Sequence, residues 1–326
     1  MNRRAGLLIV GMVAALSAGV ASQGVQSTAL PAPTPREPAW AFPVQAGSLP
    51  DEGDAPKSIP GSTKKYTSKE IDNLMAPPDW LPDQHPANAP DIVLKGRPGV
   101  LACGGCHLQS GFGHPESADI SGYSADYLIQ QMMDFRNGER IDFAARMNAF
   151  AKGLSEAEIK ATSEYFASLP KKNYNRVVEA AMVPKTFIGQ GRMRFIDPKT
   201  KGEMEPIGSR IITLPEDENL ARLRDPRSGF VSYVPPGSIA RGKALAETGG
   251  GKTVACNICH GDGLKGTGGA PRLANVHPIY LVRQFYHFKE GTRKGAGGAL
   301  MVPVVEQLTE ADYIDLAAYL GSLPIE

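Results

Sequence analysis

Cysteine is scarce. The 326 residues hold only four, and all four fall in two short stretches, Cys103-Gly-Gly-Cys106-His107 and Cys256-Asn-Ile-Cys259-His260. No thiol is left for a disulfide framework, for a reactive nucleophile or for a cysteine ligand to iron. A zinc ribbon would need its cysteine pairs far closer in sequence than Cys106 and Cys256, and a thioredoxin-type pair does not account for a histidine after both copies. An excess of one charge is also missing. Lys and Arg number 35 against 34 Asp and Glu, for a net charge of +1. It falls to −1 without the N-terminal stretch that carries Arg3 and Arg4, so nothing points to nucleic acid. Hydrophobic content of 42% and charged content of 21% are those of a soluble globular protein.

What is present is specific. Two cysteines three apart, with histidine directly after the second, form the attachment pattern of a covalent c-type haem. Each thiol adds to one vinyl group, so both must sit on one short turn, and the following histidine supplies the proximal nitrogen. At this composition a single copy would arise by chance in about one chain in a thousand. The expectation is two covalently bound haem c groups, held by Cys103, Cys106 and His107 and by Cys256, Cys259 and His260.

The chain length suggests two domains. Residues 1–21 read as a signal peptide: Arg3 and Arg4, an apolar run from Ala5 to Val20, and the small-residue site Gly19-Val20-Ala21. The run is short for a span of about 20 residues, so membrane attachment is expected only if it stays uncleaved. Export to the periplasm suits a haem that is attached outside the cytoplasm. Residues 22–85 form a Pro-rich, disordered or wrapping segment, with one short helix signalled by the capping-box spacing of Thr67 and Glu70. Prolines from Pro77 to Pro90 then forbid long helices.

An internal repeat follows. Cys103 maps to Cys256 at an offset of 153, and so does Tyr127-Leu128-Ile129-Gln130-Gln131 to Tyr280-Leu281-Val282-Arg283-Gln284. After one inserted residue Met147 maps to Met301, and Ser155 to Thr309, each an N-cap for a last helix. Both of those helices run out at Ser-Leu-Pro, at Pro170 and Pro324. The expected fold class is all-α, with two tandem helical domains at 86–170 and 236–326. Domains this small have a thin side-chain core, so the haem is needed as apolar mass and the apo-protein should fold poorly. The linker insert at 171–235 has no counterpart in the repeat. Strand candidates lie at Thr186–Ile188, Met193–Ile196 and Ile211–Leu214, with a turn at 197–202 between the last two.

Each iron has one further axial position. Methionine there raises the potential and a second histidine lowers it. Met147 and Met301 occupy matched places, whereas His114, His277 and His287 map to Thr267, Ser124 and Asp134, and Met132 to Phe285. Met147 and Met301 are therefore the expected sixth ligands. The glycines at 295–298 would let backbone approach the haem closely. The proximal histidine needs an acceptor for its other ring nitrogen. The Gly268-Gly269-Ala270-Pro271 run is placed to offer one, making Pro271 a haem-binding candidate. In the first domain the nearest proline, Pro115, is out of register, and the acceptor is left open.

At these residues the chain resembles the di-haem class I cytochromes c of the cytochrome c4 type, over roughly half its length. The resemblance implies two cytochrome c-like domains and soluble periplasmic electron transfer through two His/Met-ligated haems. It also implies contact between Gly242 of the second domain's first helix and Tyr319 of its last. It implies redox proteins as partners, a dehydrogenase as donor and a cytochrome or oxidase as acceptor. Two departures stand out: Pro86 and Pro90 where the first domain's first helix should be, and the length of the insert. A redox enzyme with one labile ligand, of peroxidase or thiosulfate-oxidising type, is the alternative. His114 and Glu116 would then be acid/base candidates, although Gly113-His114-Pro115 reads more simply as a surface loop.

Overall fold

The computed structural model describes residues 36–44 and 53–325; the expected signal peptide lies outside them. No described helix is long and apolar enough to cross a membrane. The architecture is mostly helical, and the strands of two or more paired residues among the described residues all lie in the central insert.

In the first unit, helix α1 (Ser68–Ile71) starts at the Thr67/Glu70 capping box. Helix α2 (Asp91–Leu94) follows Pro90 and buries Ile92 and Val93, a single turn at the place where the family resemblance puts a longer first helix. The first haem motif is itself helical as α3 (Gly104–His107). Helix α4 (Ala125–Asn137) is capped by Ser124 and stopped by left-handed Gly138. It packs on α5 (Arg146–Gly153) and on α6 (Glu156–Ser168), which opens with the Ser155/Glu158 capping box.

The insert carries strands β1 (Asn175–Glu179), β2 (Met182–Pro184), β3 (Thr186–Ile188), β4 (Arg194–Ile196), β5 (Met204–Pro206), β6 (Ile212–Pro215) and β7 (Phe230–Val234), with helix α7 (Glu218–Arg222) between the last two. Strand β7 pairs in parallel with β1 and antiparallel with β6, while β2–β5 and β3–β4 form two-stranded ladders. The fold is thus helical with a small β-rich region.

The second unit comprises α8 (Ser238–Thr248), the second haem motif as α9 (Asn257–His260), α10 (Pro278–Lys289), α11 (Ala296–Val305) and α12 (Glu310–Ser322). Helices α8 and α12 cross closely because Gly242 has no side chain. A Cβ there would lie 1.8 Å from the Asp315 carbonyl oxygen and 3.0 Å from Tyr319 Cβ. The N-terminal segment wraps onto this unit, where buried Phe42 packs against Phe143, Tyr286 and His287.

The two units meet through a buried polar network whose members are copies of each other. Arg140 donates to Gln131, Gln284 and the Tyr280 hydroxyl, and Arg293 donates to Gln284, Gln131 and the Tyr127 hydroxyl. The guanidinium groups lie over Phe135 and Phe288, again a matched pair. Gly295 and Gly298 are closely packed beside this network. Cβ atoms there would strike the Asp134 carboxylate and the Arg293 backbone.

His277 is 1% exposed, packed against the rings of Tyr174 and Phe230, and both its ring nitrogens lack partners. Burial lowers its pKa to about 4, against about 6.5 when unfolded. The unfolded chain therefore binds the extra proton first, so the contribution of this residue is complete above pH 6.5 and lost as pH falls to 4. Its size is on the order of 3 kcal/mol. Denaturant titrations across that range should show the loss in wild type and a flatter profile in His277→Phe; an unchanged slope removes His277 as its source.

Candidate functional site: two histidine-cysteine turns

Both motifs adopt one geometry. Cys103 and Cys256 stand just before a single helical turn that carries the second cysteine and the histidine. That turn holds the two thiols of each motif on one short arc. His107 Nδ1 lies 2.8 Å from the carbonyl oxygen of Ala118, and His260 Nδ1 lies 2.7 Å from that of Pro271. A carbonyl can only accept, so each Nδ1 carries the proton and each Nε2 keeps a lone pair. That is the tautomer of an imidazole ligand oriented by its second shell. Burial lowers the proton affinity of both rings, with the carbonyl bonds acting against it. The first acceptor is Ala118, not a proline. It lies at the repeat offset of 153 from Pro271, where register alone points to it.

Burial pushes the Cys103 thiol up to about 12 and Cys256 to about 11, and raises Cys106 as well. Desolvated, protonated thiols are poor thiolate ligands for a bare ion. Among the described residues no three His, Cys, Asp or Glu side chains converge on a metal. The residues do fit a covalent porphyrin. Cys103 lies between two separate apolar clusters, one with Val93, Leu128 and Phe166, the other with Ile92, Val100 and Ile159. A flat apolar group attached there would touch both.

Met301 lies within α11, half-buried against the cluster that also holds Cys256. Met147 sits in the first turn of α5, half-buried, its backbone N–H directed at the Asp142 carboxylate. The cluster around Cys103 includes Met132 and Met133. The Gly113-His114-Pro115 loop is not a surface loop. Gly113 and Pro115 are buried, and His114 packs against Gly191 of the insert. Glu116 is held in an ion pair with Arg283. His114 Nδ1 receives the Glu116 backbone N–H, and burial holds the ring's pKa well below the usual histidine range.

The two motif turns differ in what covers them. Gly105 is buried beneath Leu74, and Arg224 of the insert donates to its carbonyl at 2.6 Å. The matched Ile258 is 71% exposed, beside exposed Cys259, and Val254 and Leu300 are 51% and 75% exposed.

Paired thiols and an oriented imidazole with a free Nε2, both present twice, each beside an apolar core, define a protein with two covalently bound haem c groups. The cytochrome c family pattern matches residues 239–324. A cytochrome subunit of sulfide dehydrogenase from Chlorobaculum tepidum is 36% identical over 93 residues, covering 28% of this chain and 83% of that protein. The chain belongs to the cytochrome c family. The similarity extends to both units in cytochrome c4 of Pseudomonas aeruginosa, 23% identical over 73% of this chain and 91% of that protein. A thiosulfate dehydrogenase electron acceptor from Thiomonas intermedia is 26% identical over 73% and 85% respectively.

Proposed function

We propose that this chain is a periplasmic di-haem electron carrier. His107 and Met147 serve as axial ligands at the first site and His260 and Met301 at the second, and electrons are relayed from a dehydrogenase to a respiratory acceptor. The observation that carries the reading is the duplicated proximal arrangement, His107 on Ala118 and His260 on Pro271. Two imidazoles oriented alike suit two irons of like role. When bound, each haem supplies a one-electron couple; the chain holds the ring, orients the imidazole and excludes water. The domain division at 86–170 and 236–326, with 171–235 between, is part of this reading, as is cleavage after residue 21. The relatives that are an electron acceptor and a dehydrogenase subunit support a dehydrogenase as donor.

The enzyme alternative has less support. Glu116 is committed to Arg283, and His114 is packed under the insert. Exposed Ile258, inside the second motif, supports exchange with a protein partner at the second site, because an apolar surface sheds its water on contact with another protein. Redox titration of the purified protein with axial-ligand spectroscopy tests the proposal. Two haems per chain, both six-coordinate and each with a methionine-to-ferric charge-transfer band, are expected. A five-coordinate iron together with peroxide turnover would overturn the carrier in favour of the enzyme.

A further inference from the structure

The loop that leads into Met147 is irregular. Ala145 is held at φ 53° and ψ 15°, a left-handed conformation that side chains disfavour and that persists only where the surroundings fix it. Inside the loop, the Asp142 carboxylate accepts the backbone N–H groups of Arg146 and Met147 at 3.0 and 3.3 Å. Asn148 donates to the Phe135 and Arg140 carbonyls. Two further groups pack on Phe143, and both come from segments without a counterpart in the repeat. The Phe42 ring of the N-terminal segment lies 5.2 Å from the Phe143 ring, centre to centre. The Arg192 guanidinium of the insert lies 5.5 Å from the same ring centre. Phe42 is 1% exposed and well anchored. Arg36 lies over its ring at 3.8 Å and pairs with Glu290, just after α10. The Arg194 guanidinium of the insert donates to the Trp40 carbonyl at 3.4 Å. The second unit has no such brace. Met301 lies inside α11, which is helical from Ala296. At the offset of Met147 to Met301, the place of Phe143 is taken by Gly297. A Cβ at Gly297 would meet nothing within 4 Å.

A ligand binds only as well as its carrier is held in the competent arrangement; the fraction of time spent elsewhere is lost from the apparent affinity. A methionine inside a helix is held by the helix. A methionine at the end of a left-handed turn needs a hold from outside. We propose that Phe42, acting through Phe143, is a positioning residue for Met147. The strap Arg36–Phe42 keeps the ligand loop of the first unit closed, and the first iron keeps its sixth ligand only while the strap is docked. The second site is independent of the strap. Docked, the strap leaves both sites closed, as a carrier requires. Released, it leaves the sixth position of the first site open to a small donor from solution. No electron or proton moves in that exchange; a nitrogen donor takes the place of the thioether sulfur. The inference rests on the reading of Met147 as the sixth ligand of the first iron.

Imidazole titration of the intact two-haem protein, followed by absorption spectroscopy, tests it together with amide hydrogen exchange. In a Met301→His background the methionine-to-ferric charge-transfer band comes from the first site alone; in a Met147→His background it comes from the second. Phe42→Ala and Phe143→Ala should each weaken the first-site band and tighten imidazole binding there by about tenfold or more. Exchange at residues 142–149 should speed up, while α11 and the second-site band stay as they were. Phe42→Leu keeps the apolar bulk and should behave as the parent does. Phe143→Ala leaves the contacts of Phe42 with α10 in place, so it decides the matter if Phe42→Ala does not fold. An unchanged first-site band and imidazole affinity in Phe143→Ala overturn the inference and leave the carrier standing. Equal weakening of both sites by Phe143→Ala overturns it as well. No charge-transfer band in the Met301→His chain itself removes Met147 from the ligand set, and the inference falls with that reading.

Discussion

Met301→His should leave both haems attached and lower one of the two potentials by a large margin. Attachment depends on Cys256, just before α9, and Cys259 within it, whereas Met301 belongs to α11. The substitution therefore changes the iron's sixth partner without touching the thioethers. Thioether sulfur stabilises ferrous iron, while a second imidazole stabilises the ferric state. Axial-ligand choice spans roughly 0.8 V across haem proteins, so the step would stand well outside the error of a titration. Leu300 next to it is exposed, and a Cβ at Gly297 would meet nothing within 4 Å. The charge-transfer band of one haem should disappear together with the shift. An unchanged titration curve in a two-haem variant would remove Met301 from the ligand list.

The parts of the fold that sequence revealed are those written by local chemistry. Thr67 with Glu70, Ser155 with Glu158 and Thr309 with Asp312 are capping boxes in the structure because each needs only four consecutive residues. Strands β3 and β4 were legible for the same reason: they are joined by a short turn, so both halves of the ladder lie in one window. Strands β1 and β7 were not. They pair in parallel across the whole insert, and no hairpin turn announces them. The loop at His114 was misread because what buries it, Gly191 and Arg283, comes from distant parts of the chain. At Ala118 no proline marks the acceptor, because the chemistry asks only for a carbonyl. The repeat offset held that information.

Removing the thiols of the first motif should damage the protein more than removing those of the second. Cys103→Ser with Cys106→Ser and Cys256→Ser with Cys259→Ser are each expected to leave one covalent haem per chain, but their cores differ. The second unit has one continuous cluster, running from Phe42 through Phe285 and Phe288 to Tyr313 and Leu320. Loss of its haem opens one wall of a core that still holds together. The first unit has two small clusters, around Leu128 and Phe166 and around Ile92 and Ile159, and Cys103 touches both. Without the apolar ring between them, neither cluster is large enough to offset the entropy of ordering its helices. The polar braces from outside are few: Trp80 Nε1 donates to the Leu223 carbonyl at 2.6 Å, Arg224 to Gly105 and Arg227 to the Pro60 carbonyl. Each such bond contributes about 1 kcal/mol, too little to replace a buried porphyrin face. Far-UV circular dichroism should therefore show the larger loss of helix, and thermal unfolding the larger drop, for the first-motif variant. Equal losses, or a larger loss for the second, would mean that the two clusters close on each other without haem.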